Sequence, residues 1–247
     1  MLNSVKHLVK RVIHSLKHPG SVIHPNTWCS EAYVSFLKSN GVVIGSNTRF
    51  INPDACRVDF HRGDYITIGD NCCFSEATIL AHDYSWYTLL ESCNDVLPDP
   101  GGKVIIGNNC FVGFHAIILK DTNIGDNCII AAGAVVKGNV PANTVWGGCP
   151  AKQICTIDDF YKKKKENKIK DAIIRRDHIK KTKHRNPYIE EMGLFSLLFI
   201  ERTKDNYDSY IKNQEFNGVK DSPILRNYYF SSTPEFPSFE EFLSVKL

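Results

Sequence analysis

Three histidines, His61, His82 and His115, offer side chains able to move a proton near neutral pH. An imidazole with an unperturbed pKa of about 6.5 suits the deprotonation of a hydroxyl, which is a poor nucleophile while it keeps its proton. His82 is followed at once by a carboxylate, Asp83, and then by the rings of Tyr84 and Trp86. A catalytic imidazole needs an orienting partner on its other nitrogen. Asp83 is the nearest carboxylate in sequence, although adjacent side chains need not meet. The nine cysteines argue less for chemistry: their number is odd, no CxxC pair occurs, and Cys72 and Cys73 are adjacent. Free thiols in a reducing compartment are the better expectation.

The elements that must position these groups show in a repeat. Ile106, Val112, Ile118, Ile124, Ile130 and Val136 stand six apart without a break. The same phase occurs earlier in Ile44 with Phe50, and in Ile68 with Phe74 and Leu80. Four positions after the anchors come compact residues: Thr48, Cys72, Thr78, Cys110, Ala116, Thr122, Cys128, Ala134 and Val140. Glycine often follows the anchor, as at Gly45, Gly69, Gly107, Gly113 and Gly125, and Asn or Asp crowds the turn beyond it. A helix cannot hold one face at a period of six, and an ordinary strand alternates in twos. A short strand and a tight corner in every six residues does fit, with Gly, Asn and Asp tolerating the corner's backbone. Three such units close a triangular coil, and stacked coils bury one apolar column. Cys72, Cys110 and Cys128 then fill the small inward site as core residues, not nucleophiles.

The rhythm stops between Leu80 and Ile106, a spacing of 26 residues that six does not divide. Residues 81–103 therefore loop out at a corner, where solenoids commonly carry their binding face. His82 opens that loop. An exposed loop histidine is the bland alternative, and its place at the break favours the chemical one.

From Val104 to Lys152 the runs Val-Ile-Ile-Gly-Asn-Asn-Cys-Phe-Val-Gly, Ile124-Gly-Asp-Asn-Cys-Ile-Ile-Ala-Ala-Gly-Ala-Val-Val-Lys137 and Gly148-Cys-Pro-Ala-Lys152 resemble the hexapeptide-repeat acetyltransferases of the galactoside, maltose and xenobiotic group. The His82-Asp83 pair, the N-terminal amphipathic segment and the Pro-Ser-Phe-Glu-Glu-Phe-Leu run at 237–243 look like the branch that O-acetylates capsular and lipopolysaccharide sugars. The resemblance implies a mainly β fold: a left-handed parallel β-helix with an N-terminal helix and an α-helical C-terminal extension. It also implies acetyl-CoA as acyl donor, no metal, and a homotrimer with active sites between subunits. His82 would deprotonate a glycan acceptor directly, without an acyl-enzyme. Phe111, Gly113, Phe114, Ala132 and Gly133 match positions along the donor's pantetheine, with Phe111 where many relatives carry Trp. Lys137 and Lys152 match basic residues near its phosphates. Gly138 departs from the Lys common there. Trp146 either stacks on adenine or caps the coil. Tyr84, Trp86 and His115 would meet the acceptor, while an ordinary surface corner remains open for His115. His61 precedes the second repeat block and is a weaker candidate for the same groove.

Residues 1–40 read as a helical cap, residues 41–155 as the coil, and residues 156–247 as a helical extension. An amphipathic helix is expected over Leu2–Leu16 and a shorter one over Glu31–Lys38. Covering the open first coil is their simpler role, and docking on an anionic membrane the other. In the extension, Asp158-Asp-Phe-Tyr precedes a helix expected through Lys181, a second is expected over Tyr188–Thr203, and Ser238-Phe-Glu-Glu caps a last one. Thr156–Arg185 holds twelve Lys/Arg against five Asp/Glu, +7 in a chain of net +3. A solvated helix face accounts for that charge, and no nucleic-acid partner is expected. No apolar run approaches the roughly 20 residues that span a bilayer, and the lysines at 6 and 10 interrupt any leader-like segment. A cytoplasmic location follows as the expectation.

Other readings share the scaffold. A γ-type carbonic anhydrase needs three imidazoles on zinc, with a pair five residues apart. His115 has Cys110 and Lys120 at those offsets. N-acetylation of a nucleotide-linked amino sugar, or a non-catalytic β-helix module, are the remaining alternatives. Calorimetric binding of CoA would separate the last from the enzymes.

Overall fold

A strand of two or three residues is stable only if stacked strands satisfy its backbone on both sides, and here they do so in register. The computed structural model describes residues 27, 29–214, 219 and 221–246; the helix expected over Leu2–Leu16 lies outside them. Two compact units divide the chain, residues 1–161 and 162–247.

The first unit opens with helix α1 (Ser30–Ser39), followed by β1 (Val43–Ile44), β2 (Arg49–Ile51), β3 (Arg57–Val58), β4 (Ile66–Ile68), β5 (Cys73–Ser75) and β6 (Thr78–Ile79). Helix α2 (Trp86–Cys93) occupies the looped-out segment. Then come β7 (Val104–Ile106), β8 (Phe111–Val112), β9 (Ile117–Ile124), β10 (Ile129–Ile130), β11 (Val135–Val140), β12 (Thr144–Gly148) and β13 (Ala151–Thr156). One face stacks β2, β5, β8, β10 and β12, all parallel. A second stacks β1, β4, β7 and the end of β9, and a third stacks β3, β6 and the start of β9. β11 runs beside β9 around the corner. This is the parallel β-helix that the period of six predicts.

Ten of the eleven anchors are buried; Leu80 is the exception. The corner between β5 and β6 is one residue short, so Ile79 pairs with Ile118 and points inward. Leu80 is left half-exposed, and Ala77 takes the small inward site expected of Thr78. At that site in the other coils, Thr48 donates to the Gly69 carbonyl at 2.7 Å. The Cys72, Cys110 and Cys128 thiols likewise donate to Gly107, Gly125 and Pro141 at 3.1, 3.2 and 3.2 Å. Thr and Cys interchange there because both are small donors facing the next coil's carbonyl. Hydrogen bonding with Cys128 and Cys72, and then burial, push the Cys110 thiol far above the ordinary range. Buried in the coil interior, all three thiols are core, not chemistry.

The corners carry two separate demands. Asn47, Asn71, Asn109, Asn127 and Asn143 all adopt left-handed backbone, with φ from 55° to 61°. Their amides ladder between coils, Asn109 to Asn127 and Asn127 to Asn143 each at 2.9 Å. The glycines after the anchors are needed for space instead. A Cβ on Gly125 would stand 2.6 Å from the Ala142 nitrogen, and one on Gly69 2.7 Å from the Gly107 carbonyl. Close stacking of coils, not backbone freedom, explains them. At the open end, Tyr33 and Leu37 of α1 are buried with Val42, Ile44 and Phe50. At the other, antiparallel β13 covers the edge of β12.

Helix α3 (Ile157–Lys183) leads into the second unit, which adds α4 (Lys204–Gln214), α5 (Pro223–Ser231) and α6 (Phe239–Ser244). The helix expected over Tyr188–Thr203 is a 3-10 segment, Ile189–Leu198, broken at Gly193 with φ 57°. Ser238 caps α6 by accepting from the Glu241 N–H at 3.1 Å, as its sequence predicts. Ala172, Ile173, Ile179, Met192, Leu198, Phe199 and Phe242 form a separate core.

Candidate functional site

Strand β3 ends at Val58 and β6 at Ile79, and these two residues pair. The residues that follow, Asp59 and Leu80-Ala81-His82, therefore leave the wall together. Asp59 is buried, and its Oδ2 accepts from the Ala81 N–H at 3.3 Å and meets His82 Nδ1 in a short hydrogen bond. His82 Nε2 makes no hydrogen bond among the described residues. A carboxylate on Nδ1 holds that nitrogen's proton, leaves Nε2 with its lone pair, and stabilises the imidazolium when Nε2 takes a proton. The Tyr84 ring lies 4.4 Å from that of His82, centre to centre.

Asp83 does not orient the imidazole. Its carboxylate accepts from the Ser85 N–H at 2.7 Å, and that bond holds it below the usual carboxylate range. Its own N–H donates to Asp99 at 2.7 Å. Asp99 also pairs with Lys120 in a short ion pair that holds the Asp99 carboxyl low and the Lys120 ammonium high. Gly102 N–H returns to the Ala81 carbonyl at 3.0 Å. The loop is thus tied at both ends beside His82, while Tyr84 and Tyr87 stand exposed and Trp86 half-buried.

His82 borders two hollows. One, about 280 Å³, lies between α1 and the wall, with Asp59 beside Tyr33, Phe36, Phe60 and Ile79. The other, about 360 Å³, is bordered by Leu80, Tyr84, Leu119, Lys120 and Lys137. Lys137 is exposed there.

The remaining predicted residues gather elsewhere. Phe111 and Phe114 are exposed at another corner, where Gly113 N–H donates to Ile130 and Gly133 N–H to Phe114, each at 2.8 Å. Ala132 and Gly133 are exposed beside them, and a Cβ on Gly133 would meet nothing within 4 Å. This group shares no hydrogen bond or ring contact with His82 among the described residues. His115 sits at the same corner with φ 57°, stacked on Phe114 and 3.4 Å from Glu76. Asn52 reaches the other Glu76 oxygen at 2.8 Å. His61 is exposed beside Phe60. Trp146 packs against the coil core with its Nε1 donating to Thr144 at 3.1 Å, and Lys152 is exposed on β13.

Asp59 is the residue that sequence reasoning missed. It stands 23 positions before His82, inside the gap between Phe50 and Ile68 where no anchor keeps phase. Val58-Asp59 against Ile79-Leu80 becomes visible only once β3 is set on β6.

Residues 103–138 match the family described as bacterial transferase hexapeptide (six repeats), the stretch that holds the six unbroken anchors. Galactoside O-acetyltransferase of Escherichia coli is 31% identical over 146 residues, covering 58% of this chain and 68% of that protein. A 2,3,4,5-tetrahydropyridine-2,6-dicarboxylate N-acetyltransferase of Enterococcus faecalis is 44% identical over 69 residues, and this chain spans 30% of its length. Among solved structures, a hexapeptide-repeat acetyltransferase from Vibrio cholerae superposes with a TM-score of 0.40 at 19% identity, covering 51% of this chain and 80% of that one.

Proposed function

This chain belongs to the hexapeptide-repeat family of bacterial acyltransferases, and from that premise we propose that it moves the acetyl group of acetyl-CoA to a hydroxyl of a surface-polysaccharide sugar, in capsule or lipopolysaccharide. The observation that carries the reading is the His82 imidazole at the break in the coil, backed by buried Asp59 and open at Nε2. His82 Nε2 takes the proton from the acceptor hydroxyl as its oxygen attacks the thioester carbonyl carbon. The carbon–sulfur bond then breaks, and His82 returns the proton to the departing thiolate. Asp59 keeps the Nδ1 proton in place and stabilises the transient imidazolium. Tyr84 and Trp86 border the acceptor.

Phe111, Gly113, Phe114, Ala132 and Gly133 line the pantetheine, with Lys137 and Lys152 toward the phosphates and Trp146 at the coil's end. His115 borders the acceptor side of that groove. The separation of Phe111, Gly113, Phe114, Ala132 and Gly133 from His82 within one chain supports a homotrimer in which one subunit's His82 faces its neighbour's corner. The working place is the cytoplasm, where acetyl-CoA is made; among the described residues no helix is long and apolar enough to cross a membrane. No group of His, Cys, Asp and Glu among them could hold a metal ion, and the chemistry asks for none.

Incubation of the full chain with acetyl-CoA and de-O-acetylated bacterial glycans tests the reading. Acetyl appears as an ester on the glycan and free thiol rises in step. Thioester hydrolysis without acetyl gain by any glycan would refute the acceptor class. Sedimentation equilibrium checks the trimer.

A further inference from the structure

The second unit holds a hollow of its own, about 400 Å³, within the range of small-molecule sites. It lies among the 3-10 segment, α4 and the approach to α6. Ser196, Phe199, Tyr210 and Gln214 form its buried part, with Tyr210 and Gln214 one turn apart on α4. Ser196 and Tyr210 are each 4% exposed, yet neither side-chain hydroxyl has a hydrogen-bond partner among the described residues. No enclosed side-chain nitrogen or oxygen among the described residues lacks a partner, so these two hydroxyls are open to the hollow that they border. Burial pushes the Tyr210 phenol up to about 12, so it stays a neutral donor and acceptor at any physiological pH.

The rim selects by charge. Glu190, Glu201 and Glu240 border the opening, none forms an ion pair or side-chain hydrogen bond among the described residues, and no Lys or Arg lines it. Carboxylates only accept hydrogen bonds, so the ligand must offer donors, and an anion would be repelled. Asn206 and Ser209 add groups that pair with hydroxyls, and the half-buried Phe239 ring lies against Phe199 at 4.5 Å. An aromatic face carries negative potential that attracts polarised C–H groups. Many donors on a compact body with one C–H-rich face describe a sugar ring.

We propose that this hollow is a second carbohydrate site, binding one neutral or amine-bearing sugar residue in the C-terminal unit, separate from the acetyl-transfer centre. It would hold a glycan by a residue other than the one acetylated, and it stands whether or not the acceptor class proposed above is right.

Saturation-transfer difference NMR on the full chain tests it with methyl glucoside, methyl glucosaminide and methyl glucuronide. The first two give saturable transfer at millimolar concentration and the glucuronide binds at least about tenfold more weakly. Ser196→Ala and Tyr210→Phe each lower glucoside affinity roughly five- to tenfold, the effect of one lost hydrogen bond. Glu201→Gln with Glu240→Gln brings the glucuronide closer to the glucoside. His82→Ala leaves glucoside binding unchanged. Absence of saturable transfer, indifference to both hydroxyl variants while circular dichroism shows them folded, or loss of binding in His82→Ala would each overturn the proposal.

Discussion

The coils over 104–148 and the stretch over 51–103 use the same wall differently. In the first, only the corner after Val136 departs, two residues shorter than the one after Ile118 on which it stacks, while the glycines admit the next coil and the Asn amides ladder from Asn109 to Asn143. In the second, a 3-10 detour over Phe60–Tyr65, a corner one residue short and a 22-residue excursion from His82 to Lys103 break the rhythm. The regular part has almost no freedom to place a side chain where chemistry needs it. The broken part turns Asp59 and His82 off adjacent strands so that they meet. Regularity supplies rigidity, and interruption supplies the Asp59–His82 pair proposed for the chemistry.

That division is open to test by substitution. His82→Ala, in the broken part, loses acetyl transfer by a factor on the order of 10²–10⁴, as for a lost general base, with little change in Tm. Near-normal turnover in single-turnover assays would move the chemistry to His115 or His61. Asp59→Asn keeps the ring's neighbours but removes the charge that stabilises the imidazolium. A loss of about 10²-fold in kcat is expected, within the range for base catalysis, and an unchanged kcat would make Asp59 merely structural.

Alkali probes the cover of the same region. Tyr33 receives the Val58 N–H at 3.3 Å, next to Asp59, and burial pushes its phenol up to about 12. Its folded value is above the unfolded one of about 10, so its contribution is complete below pH 10 and fades as pH rises through 12. The first unit should lose about 2–3 kcal/mol across that window, read as a falling denaturant midpoint. A flat midpoint there would contradict the burial.

In the regular part, Gly125→Ala forces a Cβ to 2.6 Å from the Ala142 nitrogen and should cost about 1–3 kcal/mol by overpacking. That appears as a Tm lower by about 2–12 °C. Gly133→Ala meets open space and suffers only its left-handed backbone, φ 68°, at about 1–2 kcal/mol. A Gly125→Ala variant as stable as the parent would mean that the coils give way easily, against the contrast drawn here.

Much of this architecture was legible because stacking repeats one local solution. Ten anchors, the cysteine column and the Asn corners follow from period alone. Leu80 misled because the β5–β6 corner drops a residue, which no pattern in residues 74–80 marks. The glycines were rightly placed for the wrong reason, since the approach of a neighbouring coil is not a local property. Asp59 was hidden because its partnership depends on strand register across 23 residues, whereas Asp83 was visible only by adjacency. Tyr188–Thr203 looked helical by composition until Gly193 turned the backbone left-handed.

The central claim is that the neutral His82 ring carries its proton on Nδ1, held by Asp59, and its lone pair on Nε2. Nitrogen NMR of the histidine-labelled chain at a pH where the ring is neutral measures this directly. The account predicts a protonated Nδ1 and a bare Nε2 for the resonance that vanishes in His82→Ala. A proton found on Nε2 instead would contradict it, because a ring in that state cannot accept the acceptor's proton.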